Sequence, residues 1–385
     1  MRFWGITGTN GKTTTTWIAA EFINAAKDRK CGYVTTVEVD TLSRRFSTGY
    51  TTPPLAQLKD IFAEMEQNGC TDCVMEVSSH AIHQHRTGDT VFSGGVFTNL
   101  SEDHLDYHKT MEACFDVKLD FARQIAAAHP TTPDMGRRDL PPYVVCLDGG
   151  YGREMFNAVG NLAVNVIPAT IDCNRRQSTA FDLSGLQLEG DYNKSNVLCA
   201  AVLAEAAGVP HDAIQQVIPT LRPRWGRLEE MKSEKGRVKS RVFVDFAHTP
   251  DGLEKVLTAA RGFTPEGKKL WVVFGAGGDR DPMKRPLMGA ACAKLADRIV
   301  VTSDNPRSED PMAIINAIVG GIDGDRRQSM AIEPDRKTAI EFALREAAEG
   351  DVVIIAGKGH ETTQEIKGVK YPIDDREVVR RYDGA

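Results

Sequence analysis

Residues 5 to 15 read GITGTNGKTTT, a run whose glycines, lysine and hydroxyls could hold the phosphates of a nucleotide. Gly8 and Gly11 let backbone N–H groups turn toward an anion, with Thr9 and Asn10 between them. Lys12 can reach the outer phosphates, and Thr13 or Thr14 can offer a hydroxyl to Mg2+. Ile6 stands where the common nucleotide-loop pattern has its first glycine, so the match is physical and not literal. The plainer alternative is a Thr-rich turn carrying a surface lysine. A strand-like run over 2–7 and a helix-like face over 17–26 argue against it, because a phosphate cradle belongs at a strand-to-helix turn. An ATP site with Mg2+ is expected.

Further polar residues fall where strands should end. MEVSSHAIHQHR puts Glu76 at the close of one apolar run, with Ser78, His80, Gln84 and Arg86 just beyond. TNLSEDHLDYH does the same for the next, offering Asn99, Asp103 and His104. In an open α/β sheet the carboxyl ends of the strands form the ligand crevice, so Glu76 and His104 are candidate metal ligands beside the nucleotide. Taken singly, Glu76 could instead cap a helix and His104 could be an ordinary loop histidine. The spacings of His80, His83 and His85, and of His104 and His108, admit zinc, but an ATP loop calls for a hard ion with oxygen ligands. In the second half FGAGGDRDPMKRP, TSDNPRSEDP and AGKGHETTQ each follow a strand-like run. Three such loops on one sheet edge predict a pocket for a small charged molecule.

The elements that must position these residues form two alternations. Strand-like runs at 2–7, 72–77, 94–98 and 142–147 alternate with helix-like stretches near 12–27, 55–68 and 111–127, and 129–142 reads as an exposed loop. A helix over 194–207 stops at Gly208 with Pro210 beyond. After the hinge LRPRWGRLEE a second series begins, with strands near 241–246, 270–274, 298–302 and 351–356, so the boundary is placed near 222. The predicted class is α/β: a central P-loop-type ATPase domain with a mostly parallel sheet, then a C-terminal Rossmann-like α/β domain. At 385 residues, with 41% hydrophobic and 26% charged, the chain can build both cores. A net charge of −6 without a basic tract argues against nucleic acid, and no apolar run approaches a membrane span. With no signal peptide read at its start, the chain is expected to be cytoplasmic and monomeric, with small-molecule partners. Its eight scattered cysteines read as small core residues; Cys70 and Cys73 have metal spacing but no second pair.

GITGTNGKTTT, TTP, MEVSSHA, TNLSEDHLDYH, DFAHTPDGLEKVL, FGAGGDRDPMKRPLMG, SDNPRSEDP and AGKGHE occur in this order and together resemble the Mur ligases, from residue 1 to about 376. The likeness is greatest to members that add the third amino acid of the muramyl peptide. It implies a central ATP-binding domain over 1–222 and an amino-acid-binding domain over 223–385. ATP would phosphorylate an acceptor carboxylate to an acyl phosphate, and an incoming amine would displace phosphate to give an amide, in peptidoglycan biosynthesis.

By motif position the resemblance implies Lys12, Glu76, His104 and Lys118 as catalytic residues, and Thr13, Glu76, His104 and Lys118 as the metal site, Lys118 being the position that becomes carbamylated. Residues 8–14 with Asn196, Arg227, Asp245 and His248 match nucleotide contacts near the domain seam. Thr51, Thr52, Ser78, Gln84 and Arg86 match the acceptor site. Arg285, Asp304, Asn305, Arg307, Gly357 and Glu361 match the amino-acid site, whose DNPR form goes with meso-diaminopimelate. A guanidinium fork suits that substrate's distal carboxylate and would repel a lysine's ammonium. The family normally opens with a further domain gripping uridine diphosphate, whereas Met1 begins the nucleotide strand here, so weak uridine recognition is expected. A relative using a non-uridylated acceptor in another pathway is the alternative. Trp225 replaces the proline of PGR-x-E, and CLDGG, with Cys146 and Gly149, replaces a more polar strand end. A non-catalytic scaffold is disfavoured by Lys12, Glu76, His104 and Lys118. Folylpolyglutamate synthetases share the architecture, but TNGKTTT and DNPR point away from them.

Overall fold

The computed structural model describes residues 1–103, 105–132, 134–172 and 181–384, and of Leu105 and Asp106 the backbone alone. It divides into two compact units, Met1–Arg222 and Pro223–Ala385. In chain order the first contains β1 (Arg2–Thr7), α1 (Lys12–Asn24), β2 (Cys31–Val34), β3 (Val39–Asp40), β4 (Arg45–Phe46), α2 (Leu55–Gln67), β5 (Asp72–Glu76), α3 (Ser79–His83) and β6 (Phe92–Phe97). There follow α4 (Leu105–His108), α5 (Met111–Ala128), β7 (Pro142–Cys146), α6 (Gly152–Val159), β8 (Asn165–Ala169), α7 (Asp191–Ala206) and α8 (His211–Val217). The second holds β9 (Glu229–Met231), β10 (Arg241–Asp245), α9 (Pro250–Phe263), β11 (Leu270–Phe274), α10 (Lys284–Leu295), β12 (Arg298–Val301), α11 (Pro311–Val319), β13 (Met330–Ile332), α12 (Arg336–Glu346), β14 (Val352–Ala356), β15 (Thr363–Ile366), β16 (Val369–Pro372) and α13 (Asp375–Arg381).

The first sheet has the order β4-β3-β2-β5-β1-β6-β7-β8, parallel except at β3 and β4. Its register sets Ile6 opposite Glu76 and Thr7 opposite Phe97, so the chain leaves β1, β5 and β6 at one edge. That juxtaposition follows from parallel pairing, since parallel strands end on the same side. Helix α1 is buried on nearly every face, its four threonines included, and packs on α7, which is almost as buried. The core beneath α2 and α5 contains Leu58, Met65, Val77, Phe97, Phe121 and Tyr143.

Several boundaries differ from the sequence reading for local reasons. Helix α1 stops at Asn24 because the Asn24 amide pairs with both backbone groups of Cys31, at 2.7 and 3.0 Å, and turns the chain into β2. Strand β6 begins at Phe92, which faces Phe3 across a register shift. Strands β2, β8, β9 and β13 have no counterpart in the sequence reading; they are short, and β8 carries Pro168, which the edge of a sheet tolerates. The seven described cysteines are buried free thiols.

In the second unit the order β13-β12-β11-β14-β10-β9 is parallel except at β9. Val244, Val273, Val300 and Ile355 pack against Ile340 and Leu344. Arg336, wholly buried at the start of α12, grips Asp375 with two bonds of 2.8 and 2.7 Å and donates to the Ala356 carbonyl at 3.0 Å. A buried pair of this kind needs every donor matched, which fixes α12 and α13 to the end of β14. The β15–β16 hairpin stands outside the main sheet.

Candidate active site

In the first unit the loop between β1 and α1 is clamped from both sides. Gly8 adopts φ +148°, and a Cβ there would lie 2.0 Å from Thr98 Oγ1; Gly11 adopts φ +84°, with Asn196 Oδ1 2.3 Å from its would-be Cβ. Only glycine lets the backbone approach so closely. The Thr98 hydroxyl and the Asn99 amide donate to the Asn10 carbonyl at 2.7 and 3.0 Å, and the Asn10 N–H donates to Asn99 Oδ1 at 2.9 Å. Asn196 also accepts from the Thr15 hydroxyl at 3.3 Å. The Lys12 ammonium folds over the loop and donates to the carbonyls of Gly8 and Thr9, at 2.9 and 2.8 Å. Thr9 exchanges bonds with the Ser101 backbone, and Thr13 and Thr14 are buried on the first turn of α1.

Glu76 is buried at the end of β5, and Thr36 holds both its oxygens: the backbone N–H at 2.8 Å and the hydroxyl at 3.1 Å. The Thr36 hydroxyl also meets Thr51 Oγ1 at 3.0 Å. Thr52 ties strand to loop, donating to the Glu76 carbonyl at 2.9 Å and accepting from the Ser78 N–H at 3.0 Å. Arg86 donates to the Thr52 carbonyl at 3.2 Å and to Gln84 Oε1 at 2.9 Å, and Gln84 in turn donates to the Tyr107 hydroxyl at 3.0 Å. Thr51, Thr52, Ser78, Gln84 and Arg86 thus form one network with Glu76.

Lys118 is buried on α5. Burial, and then the charge of Lys12, push its pKa down to about 7, against the weaker pull of Cys114 and Asp103. Lys118 therefore sits within electrostatic reach of the phosphate loop. His104 lies outside the described residues. Among the described residues no group of three His, Cys, Asp or Glu side chains could by itself hold a metal. The hard oxygens of Thr13 and Glu76 nonetheless suit Mg2+.

In the second unit the loops after β11, β12 and β14 interlock. Arg285, buried on the first turn of α10, grips Glu309 with bonds of 2.9 and 2.7 Å and reaches the Gly277 carbonyl at 3.4 Å. Arg307 Nη1 donates to the Gly278 carbonyl at 2.6 Å. Asn305 donates to Glu361 at 2.9 Å and accepts from Lys358 at 3.2 Å, and Lys358, wholly buried, also pairs with Glu361 at 2.9 Å. Gly357 opens the loop after β14, its N–H on the Asp245 carbonyl at 3.1 Å. Asp304 is buried with Oδ2 lacking a hydrogen bond; burial pushes its pKa up, but Lys358 and Arg336 prevail and hold it below the usual carboxylate range. Arg285, Asp304, Asn305, Arg307, Gly357 and Glu361 are thus gathered at one edge of the second sheet.

Arg227, Asp245 and His248 gather at the end of β10. Asp245 accepts the N–H groups of Leu228 and Ala247, both at 2.7 Å; burial raises its pKa in spite of these bonds and of Arg227. Arg227 lies over the Phe246 ring at 4.5 Å, and His248 Nδ1 meets the Phe246 carbonyl at 2.8 Å. Thr36, Thr98 and Lys358 escaped the sequence reading. Only Lys358 left a signal, as a lysine between two glycines after an apolar run.

A glycine–lysine cradle at the edge of one parallel sheet, with a crown of basic and amide side chains on a second, defines a two-unit α/β nucleotide-loop enzyme. Residues 6–204 match the family model of the Mur ligase middle domain, and residues 226–359 that of the Mur ligase, glutamate ligase domain. The UDP-N-acetylmuramoyl-L-alanyl-D-glutamate--2,6-diaminopimelate ligase of Ralstonia nicotianae is 40% identical, over 99% of this chain and 75% of its own. That of Bacillus licheniformis is 40% identical over 99% and 78%. A solved structure of a ligase of the same name superposes with a TM-score of 0.61 at 32% identity, covering 98% of this chain and 77% of its own. Mycobacterium tuberculosis folylpolyglutamate synthase shares the fold, with a TM-score of 0.61 at 20% identity over 92% and 88%. The chain belongs to the Mur ligase family and is an ATP-dependent ligase. Among the described residues no helix is long and apolar enough to cross a membrane.

Proposed function

We propose that the chain joins meso-diaminopimelate to the free carboxylate of a muramyl dipeptide at the expense of ATP. The observation that carries this reading is the network in which Thr52 ties Glu76 to Ser78 while Arg86 and Gln84 extend from it, on the sheet edge where the Lys12 loop also lies. The acceptor carboxylate takes the terminal phosphoryl group of ATP, and the amine of the amino acid then attacks the activated carbon and releases phosphate. Two anions must meet in the first step, so positioned positive charge is the main requirement. Lys12 supplies it once its ammonium leaves the Gly8 and Thr9 carbonyls for phosphate. Thr13 and Glu76 would hold Mg2+, which would screen phosphate charge when bound. Arg86 and the Thr52 and Ser78 hydroxyls orient the acceptor. Lys118, with its pKa near 7, is largely neutral in mildly alkaline solution, as reaction with CO2 to a carbamate requires.

In the second unit Arg307 and Arg285 receive carboxylates of the amino acid, and Asn305 and the Gly357 loop complete the site. Serving a lysine substrate would leave Arg307 without its anion, a loss of about 2 to 4 kcal/mol. The test is ADP release by the purified chain with meso-diaminopimelate or L-lysine and with acceptors bearing or lacking the uridine diphosphate group. Release should require a muramyl dipeptide and prefer meso-diaminopimelate, and Arg307→Ala should flatten that preference. Activity on other acceptors alone, or equal use of lysine, would defeat the reading.

A further inference from the structure

In the first unit Thr36 has one hydroxyl proton and two oxygens that can take it. Glu76 Oε2 stands 3.1 Å from Thr36 Oγ1, and Thr51 Oγ1 stands 3.0 Å from it. One proton makes one strong bond, so the two oxygens compete. The Thr36 backbone N–H meanwhile donates to Glu76 Oε1 at 2.8 Å and keeps the carboxylate oriented whichever way the hydroxyl turns. The scaffold around this pair is fixed on both sides. Strand β2 runs parallel to β5 with Val34 opposite Met75, so the turn after β2 begins beside Glu76. Thr35 closes that turn: its hydroxyl donates to the Glu38 carbonyl at 2.7 Å and accepts the Glu38 N–H at 3.0 Å. Its own N–H reaches the same carbonyl at 3.0 Å. Thr52 secures the chain next to Thr51 through the Glu76 carbonyl and the Ser78 N–H, at 2.9 and 3.0 Å. The hydroxyls can therefore rotate while the backbone stays in place.

A hydrogen bond to a charged oxygen is worth about 1.5 to 3 kcal/mol, against about 0.5 to 1.5 kcal/mol for one to a neutral hydroxyl. While the carboxylate carries its full charge the Thr36 proton rests on Glu76, and Thr36 Oγ1 is left to accept from Thr51. When a divalent cation shares that charge, the preference is lost and the Thr36 proton can turn to Thr51. Thr51 must then direct its own proton away from Thr36. We infer that Thr36 is a positioning residue whose hydroxyl couples Glu76 to the acceptor site: with a divalent cation on Glu76, Thr51 offers its proton to an oxygen of the acceptor. Coupling of this kind is reciprocal, so the cation and the acceptor each raise the affinity of the other.

This rests on the proposed roles of Glu76 and of the muramyl dipeptide, and its test separates them. Mn2+ binding is followed by the electron paramagnetic resonance of the free ion, with ADP present so that nothing turns over. Each protein is titrated without the uridylated muramyl dipeptide and again with that dipeptide at saturation. In wild type the dipeptide should tighten Mn2+ binding about threefold to tenfold. Thr36→Val keeps the shape and the backbone N–H bond but loses the hydroxyl, and should bring that ratio to within about 1.5-fold of unity. Thr36→Ser should restore it. Thr51→Val removes the other end of the relay and should lose the ratio equally, so it decides the matter if Thr36→Val does not fold. Glu76→Gln should weaken Mn2+ binding itself. If it does so while wild type shows no coupling, or while folded Thr36→Val keeps the wild-type ratio, the role of Thr36 is overturned and the proposed function stands. If Glu76→Gln binds Mn2+ as wild type does, the metal role of Glu76 and the relay fall together. If wild type does not bind the dipeptide, the proposed acceptor and the relay both fall.

Discussion

Gly8→Ala would strike the phosphate loop at its tightest point. The new Cβ would lie 2.0 Å from Thr98 Oγ1 and 3.1 Å from the backbone N and O of Asn99, at a φ of +148° that side chains avoid. Thr98 must move, and its hydroxyl holds the Asn10 carbonyl at 2.7 Å and the Thr7 carbonyl at 3.3 Å. Backbone strain costs about 1 to 3 kcal/mol, and displacing the Thr98 hydroxyl costs about 0.5 to 1.5 kcal/mol more, since the Asn10 carbonyl keeps the Asn99 amide and the Thr7 carbonyl keeps the Thr98 N–H. A total of about 1.5 to 4.5 kcal/mol must appear somewhere. If the loop yields, nucleotide affinity falls at least about tenfold with little change in unfolding; if the scaffold yields, unfolding itself shifts. Calorimetric titration with ADP and urea denaturation of the same preparation divide the loss between the two. Thr98→Ala in the same chain removes the obstructing oxygen, so the double variant should recover about 1 kcal/mol or more relative to additivity. A Gly8→Ala protein that binds nucleotide within about twofold of wild type and unfolds within about 0.5 kcal/mol of it would refute the loop geometry.

Lys12→Ala should abolish amide formation without moving thermal unfolding, because the ammonium, which donates to the Gly8 and Thr9 carbonyls, acts on phosphate charge and does not pack in the core; an active variant would remove the phosphate role. Lys118→Ala should be inactive and partly rescued by short carboxylates, and intact-mass measurement should find a carbamate on wild type; full activity of the variant without any carbamate would end the idea. His360 has its pKa pushed down to about 3 by burial and then by Arg227, Arg376 and Lys358. A depressed histidine pKa means the unfolded chain binds the proton first, so the penalty is absent above about pH 6.5 and grows as pH falls below it. Urea denaturation should therefore lose about 1 to 2 kcal/mol between pH 7 and pH 5 that His360→Gln retains; equal losses in both proteins would contradict the placement of His360.

Order and periodicity in the sequence were enough for the two alternations and for the phosphate loop, because strand patterns, helix stops and glycine–lysine spacing are local properties. Strand β11 falls on 270–274 as its apolar run reads, and β1 on 2–7. Motif order also pointed to Glu76, Arg307 and the set from Thr51 to Arg86, although no local pattern says what those side chains touch. Tertiary structure alone decided that Thr36, forty residues before Glu76, holds both oxygens of its carboxylate, and that Thr98 and Asn99 clamp Asn10. It alone buried Lys118, which lowers its pKa, and placed it within the field of Lys12, which lowers it further, and set Glu365 beside Arg307 through a bridge between chain segments nearly sixty residues apart. The physical reason is common to all four. Parallel strands bring distant segments to one edge, and a side chain's charge state and partners are set by what burial and pairing place around it there, which spacing along the chain does not encode.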